Sequence, residues 1–174
     1  MGDKFLYVLG RFKSLLISDD GEKYSPEGIE ETITDRSLFI DQMMLYNNQD
    51  KYTIALLVPN GEALTRWAKN KNIDLTNLKG LEIVLIELDS VINQYKTGGL
   101  YDDLFPSRWL PTAIAILDET FNADNKQLNS LGKMVRAKIF EQHKDKIDYL
   151  YTPEAKNIAN PRNLAAIKKV LGVN

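Results

Sequence analysis

The sequence has no cysteine and a single histidine, His143, in 174 residues. Without a thiol there is no disulfide staple, no cysteine-ligated metal and no thiol nucleophile. One imidazole excludes a zinc site built on several histidines, and any Ser-His-Asp arrangement would have to use His143. An excess of one charge is also missing. The 22 Lys+Arg face 24 Asp+Glu, a formal net charge of −2 that argues against a broad nucleic-acid-binding surface. Long apolar runs are absent as well: Phe5 to Leu9, Ile54 to Val58 and Ile83 to Ile86 are core-sized, far shorter than a signal-peptide core or a spanning helix. These exclusions predict a cytoplasmic protein. What is present is 44% hydrophobic residues over a length that suits one ordinary domain with a real core, residues 1–174. A β-like run begins almost at once, at Phe5, as it can in a natural protein or in a piece of a larger one.

Turn and capping residues divide the chain. Phe5 to Phe12 and Ser14 to Ser18 are rich in β-formers, Asp19-Asp20-Gly21 is a turn, and Lys23-Tyr24 is the return strand of an N-terminal hairpin. Ser25-Pro26-Glu27 then opens a helix, with Ser25 at the N-cap and Pro26 at its first position. Leu38 to Tyr46 and Tyr52 to Val58 read as two central antiparallel strands separated by a turn at Asn47 to Asp50. Asn60 caps a helix carrying Leu64, Trp67 and Ala68 on one face. Leu81, Val84, Leu85, Leu88, Ile92 and Tyr95 follow helical spacing, and Gly98-Gly99 stops that helix. Thr112 to Leu117 is a short strand, Gly132 to Phe140 has helical character, and 160–172 is a C-terminal helix. The expected fold is α+β: a hairpin, then a small, mainly antiparallel sheet of about three strands covered by helices.

Two segments look unlike plain scaffold. Arg11 and Lys13 lie two apart, so in an extended segment both point to one face and could clamp a hydroxyl pair or a phosphate; the alternative is a solvated edge strand. Asn129-Ser130-Leu131-Gly132-Lys133 places a lysine at an expected helix start, where the dipole favours anions, so an anionic ligand would explain it; the alternative is an ordinary exposed lysine. This is not a P-loop, because the first glycine and the Ser/Thr after Gly-Lys are missing. Elsewhere the plain reading holds. His143 is a solvated helix residue, Glu30-Glu31 splays apart rather than converging on a metal, and Trp67 and Trp109 are packing anchors.

Taken together, Gly10-Arg11-Phe12-Lys13, Asp20-Gly21-Glu22-Lys23-Tyr24-Ser25-Pro26-Glu27-Gly28-Ile29-Glu30, Phe105 to Pro111, the apolar strand ending at Asp118-Glu119 and Asn129 to Arg136 resemble the C-terminal domain of adenylate-forming enzymes. The flavour is that of long-chain fatty acid CoA ligases, over roughly residues 5–140, and the resemblance makes the stretch 70–101 a helical insertion that supplies the extra length of their C-terminal domains. The resemblance implies an enzyme that joins a fatty acid carboxylate to AMP, expels pyrophosphate, and transfers the acyl group to the thiol of CoA. This domain would be its rotating lid. Lys133 is then the adenylation lysine, Arg11 holds the AMP ribose, Lys13 is the hinge, and the turn Gly21, Glu22 and Lys23 lines the CoA tunnel. Lys126 and Lys138 are nearby rivals for the role of Lys133, and Arg136 matches a basic family position. The lysine loop departs from the usual Thr-Pro-x-x-Lys or Ser-Gly-Lys, and Gly28 stands where Glu is common.

The same resemblance implies ATP/AMP and CoA as substrates shared with an N-terminal adenylation domain of the same polypeptide, and magnesium, for which the sequence offers no ligand here. It also implies a cytoplasmic enzyme, or one peripheral to a membrane. Nothing in the chain resembles the Gly-rich phosphate loop, the adenine pocket or the fatty-acid tunnel, so the chain alone is expected to be inactive. The competing readings are a non-catalytic α+β binding module and an adenylating domain that passes its acyl group to a carrier-protein thiol.

Overall fold

Turn formers and capping residues separate short elements whose apolar faces meet on one sheet. The computed structural model describes residues 14–174. In chain order these form β1 (Leu16–Ser18), β2 (Lys23–Tyr24), α1 (Pro26–Arg36), β3 (Ile40–Tyr46), β4 (Asn48–Asp50), β5 (Ile54–Pro59), α2 (Gly61–Asn70), α3 (Leu78–Asn93), β6 (Ala113–Ile116), α4 (Arg136–Gln142), α5 (Lys144–Leu150) and α6 (Pro161–Val170). Short 3₁₀ turns lie at Ser107–Trp109 and Glu154–Lys156. The strand expected over Phe5 to Phe12 lies outside the described residues.

The architecture is α+β with two small mixed sheets of three strands each, ordered β2-β1-β4 and β3-β5-β6. In the first, β1 and β2 form the expected hairpin, with Leu16 opposite Tyr24 and Ile17 opposite Lys23. β4 runs parallel to β1, so the segment expected to be only a turn also pairs. The Ile17 N–H donates to Asn47 O at 3.1 Å, and Gln49 takes φ +64°, so a sharp bend and a strand share these few residues.

In the second sheet β5 is central. β3 lies antiparallel on one side, with Met44 opposite Leu56, and β6 lies parallel on the other, with Leu56 opposite Ala115. β3 is therefore an edge strand, not a second central one. Because strand side chains alternate, the sheet feeds two separate cores. Met43, Leu45, Ala55, Leu57, Ile114 and Ile116 pack with α1, α2, α3 and α6. Met44, Ile54, Leu56, Val58, Ala113 and Ala115 pack with α4 and α5 on the other face. The sheet is the middle of three layers.

Helix boundaries follow local chemistry. Asn60, Asn77 and Asn160 accept N-cap hydrogen bonds from the backbone N–H groups of Ala63, Gly80 and Asn163. Ser25 occupies the N-cap of α1 without a side-chain cap bond, and Pro26 follows it. α3 ends at Asn93, ahead of the glycine pair. Gly98 has φ +87°, and a Cβ on Gly99 would lie 2.3 Å from Gln94 O, so both glycines serve the turn that follows the helix. The helix expected from Gly132 begins only at Arg136. Gly132 has φ +77° and Leu128 bridges Met134, so residues 128–135 form a tight antiparallel loop instead. Among the described residues no helix is long and apolar enough to cross a membrane.

Candidate functional site

Lys133 stands on that loop, and the loop is built by one asparagine. The Asn129 side-chain oxygen accepts the N–H groups of Leu131 (2.9 Å) and Lys133 (3.0 Å). Asn129 N–H donates to Lys133 O at 2.9 Å, and Gly132 N–H donates to Asn129 O at 3.0 Å. Lys133 is therefore not a helix-start residue, and the dipole argument does not apply to it. Its environment is exposed, and among the described residues no carboxylate forms an ion pair with it. Leu131 beside it is 80% exposed. Of the neighbouring lysines, Lys138 lies 3.7 Å from Glu141, and Lys126 sits in a turn with φ +64°.

Both legs of the loop are anchored. On the incoming leg, buried Gln127 donates to Gln142 Oε1 at 2.6 Å, and its backbone oxygen accepts Val135 N–H at 2.8 Å. On the outgoing leg, Arg136 grips Glu30 of α1 with two guanidinium nitrogens, Nη1 to Oε2 at 3.0 Å and Nη2 to Oε1. Glu30 is 4% exposed, and its Oε2 also accepts the Leu45 N–H at 2.6 Å. Burial pushes the Glu30 carboxyl above the ordinary carboxylate range, against the opposing pull of Arg136 and the Leu45 N–H. Removing one partner of such a buried pair costs about 3–5 kcal/mol, because the other charge is stranded.

Glu30 is the residue that sequence reasoning missed. Beside Glu31 it reads as half of a splayed acidic pair. Yet Pro26, Ile29, Glu30 and Ile33 are the buried residues of α1, at i, i+3, i+4 and i+7. A carboxylate inside an apolar stripe was the available signal.

α1, β3 and the Lys133 loop enclose a cleft of about 460 Å³. Its walls carry Glu27, Glu31 and Asp41 together with Gln42, Lys133 and Arg136. Gln42 fixes the cleft's far side through a two-way amide pairing with the backbone of Phe121, at 2.9 and 2.8 Å. The residues do not suit a metal ion: Glu30 is committed to Arg136, and among the described residues no group of three or more His, Cys, Asp or Glu could hold one.

The turn at Gly21, Glu22 and Lys23 lines none of this cleft. Gly21 has φ +87°, and the Glu22 N–H donates to Asp20 Oδ1 at 3.0 Å. Arg108 clasps Glu22 through Nε (2.6 Å) and Nη2 (2.7 Å), holding its carboxyl below the usual range. Trp109 stacks on Tyr24 at 5.1 Å between centroids. Lys23 is exposed on β2. Arg11 and Lys13, expected at the ribose and the hinge, lie outside the described residues.

No protein-family model matches this chain. Over 148 residues it is 28% identical to a probable chloroplastic acyl-activating enzyme of Arabidopsis thaliana, an alignment covering 82% of this chain and 19% of that protein. Over 165 residues it is 25% identical to a long chain acyl-CoA synthetase of the same plant, covering 90% of this chain and 24% of the relative. The fold is similar to the A-PCP didomain of a carboxylic acid reductase from Segniliparus rugosus, solved with AMP, at a TM-score of 0.59 and 20% identity, covering 83% of this chain and 18% of that one. The chain thus spans about a fifth to a quarter of the length of these relatives. These acyl-activating and acyl-CoA relatives align over most of this chain, consistent with the C-terminal domain of an adenylate-forming enzyme.

Proposed function

From its relation to adenylate-forming acyl-CoA ligases, we propose that this chain is the C-terminal lid of an ATP-dependent long-chain fatty acid–CoA ligase. The observation that carries the reading is the match across 82–90% of the chain to acyl-activating and long-chain acyl-CoA enzymes. An exposed, anchored Lys133 on the loop between β6 and α4 suits that role.

In this reading the lid brings Lys133 to the reacting carboxylate and the α-phosphate of ATP. There the ammonium offsets negative charge that concentrates as the acyl-phosphate bond forms and pyrophosphate leaves. A loop fixed in advance costs little reorganisation at that moment, which is why the two anchored legs matter. Arg11 would hold the ribose hydroxyls of AMP, and Lys13 would absorb the backbone rotation that turns the lid. For the second step, the Gly21, Glu22 and Lys23 turn would line the channel for CoA, with Arg108 and Trp109 fixing its position. Magnesium would travel with ATP and be held by groups outside this lid.

The test is Lys133→Ala in the complete ligase. Acyl-adenylate formation should fall by about 10²–10³-fold, the range for losing one charge-stabilising donor. Thioester formation from supplied acyl-adenylate should largely survive. Equal loss of both steps would overturn the role given to Lys133. Likeness to an A-PCP didomain raises a second acceptor, a carrier-protein thiol. Offering the loaded enzyme CoA or a carrier protein in parallel separates the two.

A further inference from the structure

Arg136 is the first residue of α4 and comes three positions after Lys133. Between them the chain makes one backbone anchor, Val135 N–H to Gln127 O at 2.8 Å. Besides the packing of Met134 and Ile139 on the second core, the outgoing leg is tied to α1 through the Arg136 side chain, which is 21% exposed and grips Glu30 with two nitrogens. Glu30 is itself pinned. Its helix packs through Ile29 and Ile33, and its Oε2 takes the Leu45 N–H on the open edge of β3. The tie therefore runs from the central layer, through a buried carboxylate, to the leg that carries the lysine. Lys133 has no side-chain partner of its own among the described residues, so its place depends on its backbone.

We infer that the Glu30–Arg136 pair positions Lys133: it fixes the outgoing leg of the lysine loop to α1 and the β3 edge, so that the ammonium is presented at a set place. Arg136 is a positioning residue that acts through Lys133, not a group that touches the substrate. The inference rests on the proposed role of Lys133 for its catalytic meaning. Its structural half, that the pair holds the loop, is tested separately.

Arg136→Gln alone strands a buried carboxylate and risks unfolding the chain. The informative variant is Glu30→Gln with Arg136→Met, which removes both charges and leaves the Gln side-chain oxygen to accept the Leu45 N–H. In the full 174-residue chain, amide hydrogen exchange should rise by about tenfold or more at Leu131, Lys133 and Val135, while the β5 amides stay within about threefold of the parent. Unchanged loop exchange, or an equal rise in loop and sheet, overturns the inference.

In the complete ligase the double variant should slow acyl-adenylate formation by about tenfold and leave thioester formation from supplied adenylate near the parent rate. Adding Lys133→Ala should then give a rate within about twofold of Lys133→Ala alone, because a positioning effect vanishes with the group it positions. A further, additive loss overturns the inference alone. If Lys133→Ala by itself leaves adenylation unchanged, the reading of Lys133 falls and takes the catalytic half of this inference with it, while the loop exchange still decides whether the pair holds the loop. Arg136→Lys, which keeps one charged contact, should recover part of the adenylation rate; no recovery counts against the pairing.

Discussion

At the scale of single residues, His143 shows how burial turns an ordinary side chain into a pH-dependent one. Read in sequence it is a solvated helix residue; in the fold it ends α4 and begins α5, half-buried against the incoming leg of the Lys133 loop. Gln127 donates to Gln142, and the same amide nitrogen lies 3.1 Å from His143 Nε2. The imidazole nitrogen there must accept, which places its proton on Nδ1 in the neutral ring. Burial, aided by Lys146 and opposed by Glu119 and Asp118, lowers the His143 pKa below its ordinary value near 6.5. In acid the unfolded chain therefore binds a proton that the folded chain refuses. Stability from this group is complete above about pH 6.5 and is lost as the pH falls toward the lower folded value. His143→Gln keeps an acceptor for Gln127 and removes the titration. Its melting temperature should fall less than the parent's between about pH 7.5 and pH 5.5. Identical pH dependence in the two proteins would show that His143 takes no part.

At the scale of elements, the sheet β3-β5-β6 has two open edges, and each is closed by a polar side chain from a helix instead of another strand. Glu30 of α1 takes the Leu45 N–H of β3. Asn163 of α6, 3% exposed, accepts the Ile116 N–H at 2.9 Å and donates to Ile114 O at 2.8 Å and to Ile158 O at 3.0 Å. Such caps satisfy backbone groups that would otherwise be buried without partners and block part of each edge to pairing with another chain. Asn163→Ala should destabilise the chain by about 3 kcal/mol, the cost of leaving buried backbone groups unmet, measured by urea unfolding. A change within about 0.5 kcal/mol would mean that water replaces the amide. These caps also mark where sequence reading stops. Short, largely apolar runs bounded by turn formers locate β3, β5 and β6, and asparagine caps locate α2 and α6, because those signals are local. The edge position of β3, the pairing of Asn48–Asp50 and the grip of Arg108 on Glu22 arise from contacts far apart in sequence, which no local pattern encodes. The late start of α4 was partly legible, since Gly132 between Asn129 and Lys133 is as good a turn signal as a helix start.

At the scale of the whole molecule, the three layers keep packing apart from the residues proposed to carry chemistry. The two cores occupy the two faces of one sheet, while Lys133 stands outside them on an exposed loop and the Glu22 turn stands apart from its cleft. That arrangement suits a lid that presents groups to another surface and does little by itself. A charge pair about 4 Å apart is worth about 1 kcal/mol in water, and about 4 kcal/mol where the effective dielectric constant is near 20. In the proposed role, exposed Lys133 alone would give only a few-fold stabilisation to a developing anion, and it would need a second surface that excludes water to give the hundredfold expected of it. The cleft beside it, about 460 Å³ with Glu27, Glu31 and Asp41 in its walls, repels a polyphosphate more than it binds one. It follows that the 174-residue chain alone, given ATP, magnesium and a fatty acid, should show pyrophosphate exchange no faster than a protein-free control. Exchange well above that control from the purified chain would mean that it carries a complete adenylation site, and the lid reading would have to be abandoned.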